Sequence, residues 1–256
     1  MGNFNKFVLD FYGFFFYDLR ITTYPGKDQW LFTTGFNISL MTKIKAFIFD
    51  MDGTLIDNMS FHRDSWLLFC RRHNISFTPE QFHTENHGTL NEMIRYFLGR
   101  DLPDERVEEL GREKEKIYRE IYKDHLREIE GLTGLLEKLE RMGMKIAMAT
   151  NGDMTNIDFV LDNLNIRRFF HVITGADEIR KGKPDTEIFE LTLKKMNLGS
   201  RECIAVEDST DGVIAARHAG LEVIGITTMH SKKELKGKGC FRVISNYKEL
   251  DLGFII

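Results

Sequence analysis

The chain has 256 residues, 42% of them hydrophobic and 29% charged. That composition supplies a sizeable core and excludes a disordered tail, a collagen-like fibre and a disulfide mini-scaffold. The 35 basic residues against 39 acidic give a formal charge of −4, so no positive field points to nucleic acid as a partner.

The first 40 residues differ from the rest. Of the 21 Phe, 7 Tyr and 2 Trp, twelve fall there. The most apolar run, Phe11 to Tyr17, is bracketed by Asp10 and Asp18 and is far shorter than the ~18 residues of a membrane helix, so no membrane partner is expected. A single Lys6 and the lack of any alanine before Ala46 argue against a secretory signal. Lys6 also stands where a myristoylation motif needs Ser or Thr. Residues 1–41 therefore read as an extension outside the catalytic unit. Three explanations stay open: a start upstream of a true one at Met41, a loosely docked tail, or an arm for a membrane or partner. Three scattered cysteines (Cys70, Cys203, Cys240) with no CxxC pair fit a reducing compartment, and a cytoplasmic location is expected.

From Met41 to Asp50 the chain reads as a start followed by a buried strand, a short apolar run ending on a carboxylate, the pattern of a parallel strand covered on both faces. Further runs at Lys145–Thr150, His171–Thr174, Glu202–Val206, Leu221–Ile226 and Phe241–Ile244 alternate with helical patterns at Leu132–Arg141, Ile157–Leu164, Thr186–Met196 and Gly212–His218. Such alternation predicts an α/β fold built on a parallel sheet with right-handed crossovers. Residues 58–128 break it with helical stretches at Ser60–Asn74, Leu90–Leu98 and Pro103 to about Arg127. The last is rich in Glu, Lys and Arg and reads as a solvated face held by pairs three and four apart. The predicted domains are thus 42–57 plus 129–256 for the core and 58–128 for an all-helical insertion.

Four segments carry chemistry: Asp50-Met51-Asp52-Gly53-Thr54-Leu55, Thr150-Asn151-Gly152, Lys183-Pro184-Asp185 and Glu207-Asp208-Ser209-Thr210-Asp211-Gly212. Three of them follow strands, and the carboxyl ends of parallel strands open onto one crevice. Asp50, Asp52, Glu207 and Asp208 would then crowd together, which is unfavourable without a cation. Lys183 offers one charge and a divalent metal more. The donors are all oxygens, which selects a hard ion such as Mg²⁺. The Thr150 hydroxyl, the Asn151 amide and the backbone of the Asp50 turn suit phosphate oxygens. Carboxylate nucleophile, metal, lysine and neutral donors together describe phosphoryl transfer. Taken singly each motif has a plainer reading: Asp-x-Asp as a turn, Thr-Asn-Gly as a capping turn, Asp208 as a helix cap, and Lys183 as a surface lysine confusable with Lys181. No GxxxxGK[ST] or GxGxxG occurs.

Over residues 42–256 these segments resemble the four motifs of the haloacid dehalogenase superfamily. The insertion resembles the small helical cap of its phosphoglycolate phosphatase and beta-phosphoglucomutase branch. The resemblance implies a Rossmann-like core with an inserted all-helical cap. It implies that Asp50 attacks phosphorus, that Asp52 acts as acid and then base, and that Thr150 and Lys183 hold the phosphoryl group. Mg²⁺ is expected on the Asp50 carboxylate, the Asp52 backbone carbonyl and the Asp208 carboxylate, with Glu207 nearby. Asp211 reads either as a helix cap or as an outer partner of the metal. The second aspartate argues against a dehalogenase, and with both aspartates present a silent phosphate-binding protein is disfavoured.

The cap is expected to set specificity, hinging near Asp57–Asn58 and Glu128–Gly131. His62 and Trp66 match positions in mutase-like relatives, where such a histidine approaches the acid/base aspartate, though both also suit simple packing. The loop His87-Gly88-Thr89-Leu90-Asn91 departs from the mutases, which carry lysine and arginine where His87 and Asn91 stand. An amide grips a second phosphate less well than a bidentate arginine, unless another residue such as Arg95 substitutes. The expected function is a Mg²⁺-dependent phosphatase on a small phosphorylated metabolite, with a sugar-phosphate mutase as the alternative. Candidate substrate contacts are Asn151, His62, His87, Gly88 and Asn91. A His83–His87 metal pair lacks a third ligand. The expected assembly is a monomer or weak dimer.

Overall fold

The computed structural model describes residues 6–7, 19–22, 31–34 and 44–254 except 86 and 87. The chain divides after residue 42 into two units. In the first, β1 (Lys6–Phe7), β2 (Leu19–Thr22) and β3 (Leu31–Thr34) form an antiparallel sheet in that order, with Arg20 opposite Lys6 on one side and Thr33 on the other.

The second unit is built on six parallel strands. They are β4 (Ala46–Phe49), β5 (Lys145–Ala149), β6 (Val172–Thr174), β7 (Cys203–Glu207), β8 (Glu222–Ile226) and β9 (Arg242–Ile244), in the order β6-β5-β4-β7-β8-β9. All four residues of β4 are fully buried, as a strand needs when both sheet faces are covered. Phe47 and Phe49 turn to one core with Ile146, Met148, Val206 and Ile224, while Ala46 and Ile48 turn to the other with Ala147, Ala205 and Val223. Strand order reverses direction at β4, so the crevice beyond β4, β5 and β7 is the switch point where α/β sheets bind ligands.

Between β4 and β5 the helical cap comprises α1 (Met59–Arg72), α2 (Pro79–Glu85), α3 (Leu90–Leu98) and α4 (Asp104–Tyr122). Its own core joins Trp66, Phe69, Phe82, Ile94, Leu110 and Ile117. The remaining helices are α5 (Leu132–Arg141), α6 (Met154–Asn163), α7 (Glu187–Met196), α8 (Thr210–His218) and α9 (Lys232–Gly237). In α5, buried Leu132, Leu135, Leu136 and Leu139 recur at helical spacing. Helix α4 departs from the expectation of a solvated face along its charged run. Lys114 is 1% exposed and Glu115 5%, because they fall in line with buried Val107, Leu110, Ile117 and Tyr118. No described helix is long and apolar enough to cross a membrane.

Candidate active site

Strand β4 delivers Asp50 to the crevice, where its backbone N–H donates to the Val206 carbonyl at 3.0 Å. The Lys183 ammonium, 4% exposed, donates to Asp50 Oδ1 at 2.6 Å, Glu207 Oε1 at 2.6 Å and the Ala149 carbonyl at 2.8 Å. An ammonium has three protons, so Lys183 is fully engaged in tying the ends of β4, β5 and β7 together. Lys181, by contrast, is exposed. Thr150 is buried, its hydroxyl accepting from Gly152 N at 3.0 Å. Asn151 accepts from Lys183 N at 3.1 Å and donates to the Gly88 carbonyl of the cap at 2.9 Å. It therefore pins the lysine loop and the cap loop at one point.

Asp52 is held differently. Asn58, at the start of α1, donates through Nδ2 to Asp52 Oδ1 at 2.5 Å and to the Tyr118 hydroxyl at 2.6 Å, while its Oδ1 accepts from Gly53 N at 3.0 Å. His62 Nε2 faces Asp52 Oδ1 at 3.4 Å, and its ring stacks on Tyr118 with centroids 3.9 Å apart. Behind it, Lys114 Nζ meets His62 Nδ1 at 3.0 Å and donates to Glu115 Oε1 at 2.7 Å. Burial works against the Asp52 anion, but His62, Asn58 and Lys114 outweigh it and hold the carboxyl below its ordinary range. Asp50 is shifted the other way, since burial and the Asp52 charge outweigh Lys183. Two aspartates two residues apart thus have opposite proton affinities, set by their different neighbours.

Asp50, Glu207 and Asp208 bring carboxylate oxygens within 4.8 Å of one another. Burial together with the neighbouring carboxylates pushes Glu207 up to about 8 and Asp208 well above its usual range. Glu207 Oε2 is buried with no hydrogen-bond partner. An all-oxygen, over-charged cluster with an orphaned acceptor fits a hard divalent cation. Gly53 belongs to the same construction: its φ is +72°, and a Cβ there would sit 1.9 Å from Asp208 Oδ2, so the turn can close on Asp208 only as glycine. The cap of α8 is Ser209, whose side chain accepts from Gly212 N at 3.0 Å. Asp208 and Asp211 do not fill that role, because the extended Ser209 backbone (φ −99°, ψ 150°) is the one that turns its oxygen onto the first turn.

A cavity of about 180 Å³ lies over these groups, walled on the core side by Asp50, Asp52, Thr150, Asn151, Lys183 and Asp208. Its cap wall includes His62, Trp66, Gly88 and Lys114. Asn91 stands exposed in the first turn of α3 and does not line the cavity. His87, and with it the His83–His87 pairing, lies outside the described residues. Residues the motifs do not signal are Asn58, Lys114, Glu115, Tyr118 and Asn156. Asn156 donates to Glu115 Oε2 at 2.6 Å and accepts from Arg119 at 2.7 Å, joining α6 to the cap. A lysine and a glutamate standing where the apolar spacing of α4 demands buried residues were the available signal.

The fold and site define an α/β enzyme with a cluster of carboxylates at the carboxyl edge of a parallel sheet and a helical cap above them. The chain belongs to the haloacid dehalogenase-like hydrolase family, which matches residues 47–226. It is 25% identical over 202 residues to a validoxylamine A 7'-phosphate phosphatase of Streptomyces hygroscopicus subsp. limoneus, covering 75% of this chain and 89% of that protein. It is 28% identical over 186 residues to a phosphorylated carbohydrates phosphatase of Thermotoga maritima, covering 71% and 84%. A beta-phosphoglucomutase structure from Clostridium difficile superposes with a TM-score of 0.73 at 24% identity, covering 83% and 95%, and shares the fold.

Proposed function

We propose that this protein is a Mg²⁺-dependent phosphatase hydrolysing a small phosphorylated metabolite, a sugar phosphate or similar phosphomonoester, through an aspartyl-phosphate on Asp50. The observation that carries the reading is the Asp50–Asp52 pair: Asp50 is tied to Lys183, and Asp52 is held by Asn58 with His62 opposite it. The phosphatase names of the two curated relatives support it.

An Asp50 carboxylate oxygen attacks phosphorus as the bond to the ester oxygen breaks, and Asp52 protonates that leaving oxygen. Asp52 is held ionised in the free protein, so the proton it gives up is gained on substrate binding, from the ester monoanion or from solvent as the phosphate charge raises the proton affinity of Asp52. Asp52 then takes a proton from water as the water oxygen attacks phosphorus, releasing inorganic phosphate and restoring Asp50. Lys183 orients Asp50 and offsets its charge, and Thr150 donates to the transferring oxygens. Asp50, Asp208 and Glu207, with the Asp52 backbone carbonyl, would hold Mg²⁺, which when bound neutralises phosphoryl charge. Closure of the cap excludes water from the acyl phosphate until the alcohol leaves.

Phosphate release from a panel of sugar and polyol phosphates with Mg²⁺ tests the reading. Turnover that disappears in Asp50→Asn is expected; no turnover on any ester, or turnover unaffected by Asp50→Asn, would refute it.

A further inference from the structure

Beyond the reacting groups, the cavity walls hold little that could receive a second anion. Three helices present their N-termini to it, and helix N-termini attract anions through unpaired N–H groups. In α6, however, Asp153 Oδ1 accepts from Asn156 N at 2.8 Å and Asp177 Oδ2 from Met154 N at 2.8 Å. In α3, Glu92 Oε2 accepts from Thr89 N at 2.6 Å and Thr89 Oγ1 from Glu92 N at 3.3 Å. In α8, Ser209 is the cap. The protein's own oxygens occupy two N–H groups each at α6 and α3 and one at α8, whose start follows directly on Asp208 and so belongs to the reacting half of the cavity.

The cations are also committed. Lys183 lies between Asp50 and Glu207, and Lys114 lies 2.7 Å from Glu115, both buried. Arg119 is turned onto Asn156 and does not line the cavity. Asp153 and Glu115 do line it. His62 and His230 line the cavity as well, His62 held between Lys114 and Asp52 and His230 3.9 Å from Glu234; beside these committed groups the wall away from Asp50 carries the Asp153 and Glu115 carboxylates.

We infer that this end of the cavity takes an uncharged, hydroxyl-bearing tail and excludes a second phosphate, with Asp153 the residue that sets the exclusion. The inference rests on the phosphatase reading and narrows it to monophosphates. Sugar hydroxyls donate to the Asp153 and Glu115 carboxylates, whereas a second phosphate dianion would meet carboxylates where it needs N–H groups. Rejection by an unpaired like charge is an economical way to discriminate substrates of otherwise similar shape.

The test compares kcat/KM for glucose 6-phosphate and other sugar or polyol monophosphates with that for glucose 1,6-bisphosphate and fructose 1,6-bisphosphate, in wild type, Asp153→Asn, Asp153→Ser and Asp153→Glu. The wild type should favour monophosphates by about tenfold or more. The neutral variants, whose side chains still cap α6, should lower that ratio roughly fivefold, and Asp153→Glu should retain it. A wild type that hydrolyses bisphosphates as well as monophosphates, or that uses them to prime interconversion of glucose 1- and 6-phosphate, overturns the inference and leaves phosphoryl transfer at Asp50 standing. So does an unchanged ratio in both neutral variants. Hydrolysis of no ester at all removes the phosphatase reading and this inference with it.

Discussion

Asp50 and Asp52 are chemically identical side chains given different work by their neighbours. Lys183 lies against Asp50, while Asp52 is fixed by the nitrogen of an amide whose oxygen accepts from the same turn. Asn58→Ala should therefore lower kcat by about ten- to a hundredfold with little change in KM, because it releases the acid/base and leaves substrate contacts in place. Steady-state kinetics on the best ester decides it, and a pure KM effect would count against the assignment. Lys183→Met poses a different problem. It strands Asp50 and Glu207 without a counter-charge in a buried site, and breaking such a pair typically costs about 3–5 kcal/mol. Urea titration should show that loss in the metal-free protein alongside loss of turnover.

At the scale of elements, the sheet was legible because its strands are short apolar runs, buried throughout in β4 and β7, and α5 because its four leucines keep strict helical spacing. Helix α6 begins three residues before its apolar period, since exposed Met154 and Thr155 carry no signal and only the Asp153 cap marks the start. Helices α2 and α9 were not legible: each buries one apolar residue, Phe82 or Leu235, and one point defines no period. The four motifs brought their residues to one crevice as local sequence implied, but the support behind Asp52 came from α4, whose charge pattern concealed its buried face. Lys114 and Lys116 are two residues apart on that helix and should behave as opposites. Lys116 is exposed and 3.9 Å from Glu120, so Lys116→Ala should change stability by less than about 0.5 kcal/mol. Lys114→Ala leaves Glu115 buried without its cation and His62 without its neighbour, and should cost about 3 kcal/mol. Paired denaturant titrations check the contrast, and equal effects would refute the buried role.

For the whole molecule, the cost of the site is electrostatic. The folded chain gathers Asp50, Glu207 and Asp208 around a single lysine, so without a cation some of these acids hold protons that they would release on unfolding. Glu207 titrates near 8 in the folded state against an ordinary 4.5. Between those values the native state binds more protons than the unfolded state, so metal-free stability should fall as pH rises from about 4.5 to 8. Asp52 and Glu115 are shifted below their ordinary range. Their stabilising contribution is complete above that range and is lost only at more acidic pH, so it does not cancel the trend. A cation bound by the three carboxylates must displace those protons, which makes its stabilisation grow with pH. Thermal unfolding in chelator should thus give a Tm that declines from pH 5.5 to 8. Mg²⁺ at a hundred times its Kd adds about 2.7 kcal/mol, or roughly 5–10 °C for a domain of this size, with the larger shift at pH 8. Asp208→Asn should abolish most of the Mg²⁺ response while raising the metal-free Tm at pH 8, because it removes one of the crowded charges. A Tm indifferent to Mg²⁺ at pH 8, in a wild type whose metal-free stability still falls with pH, would mean that the acids are crowded for some purpose other than holding a cation.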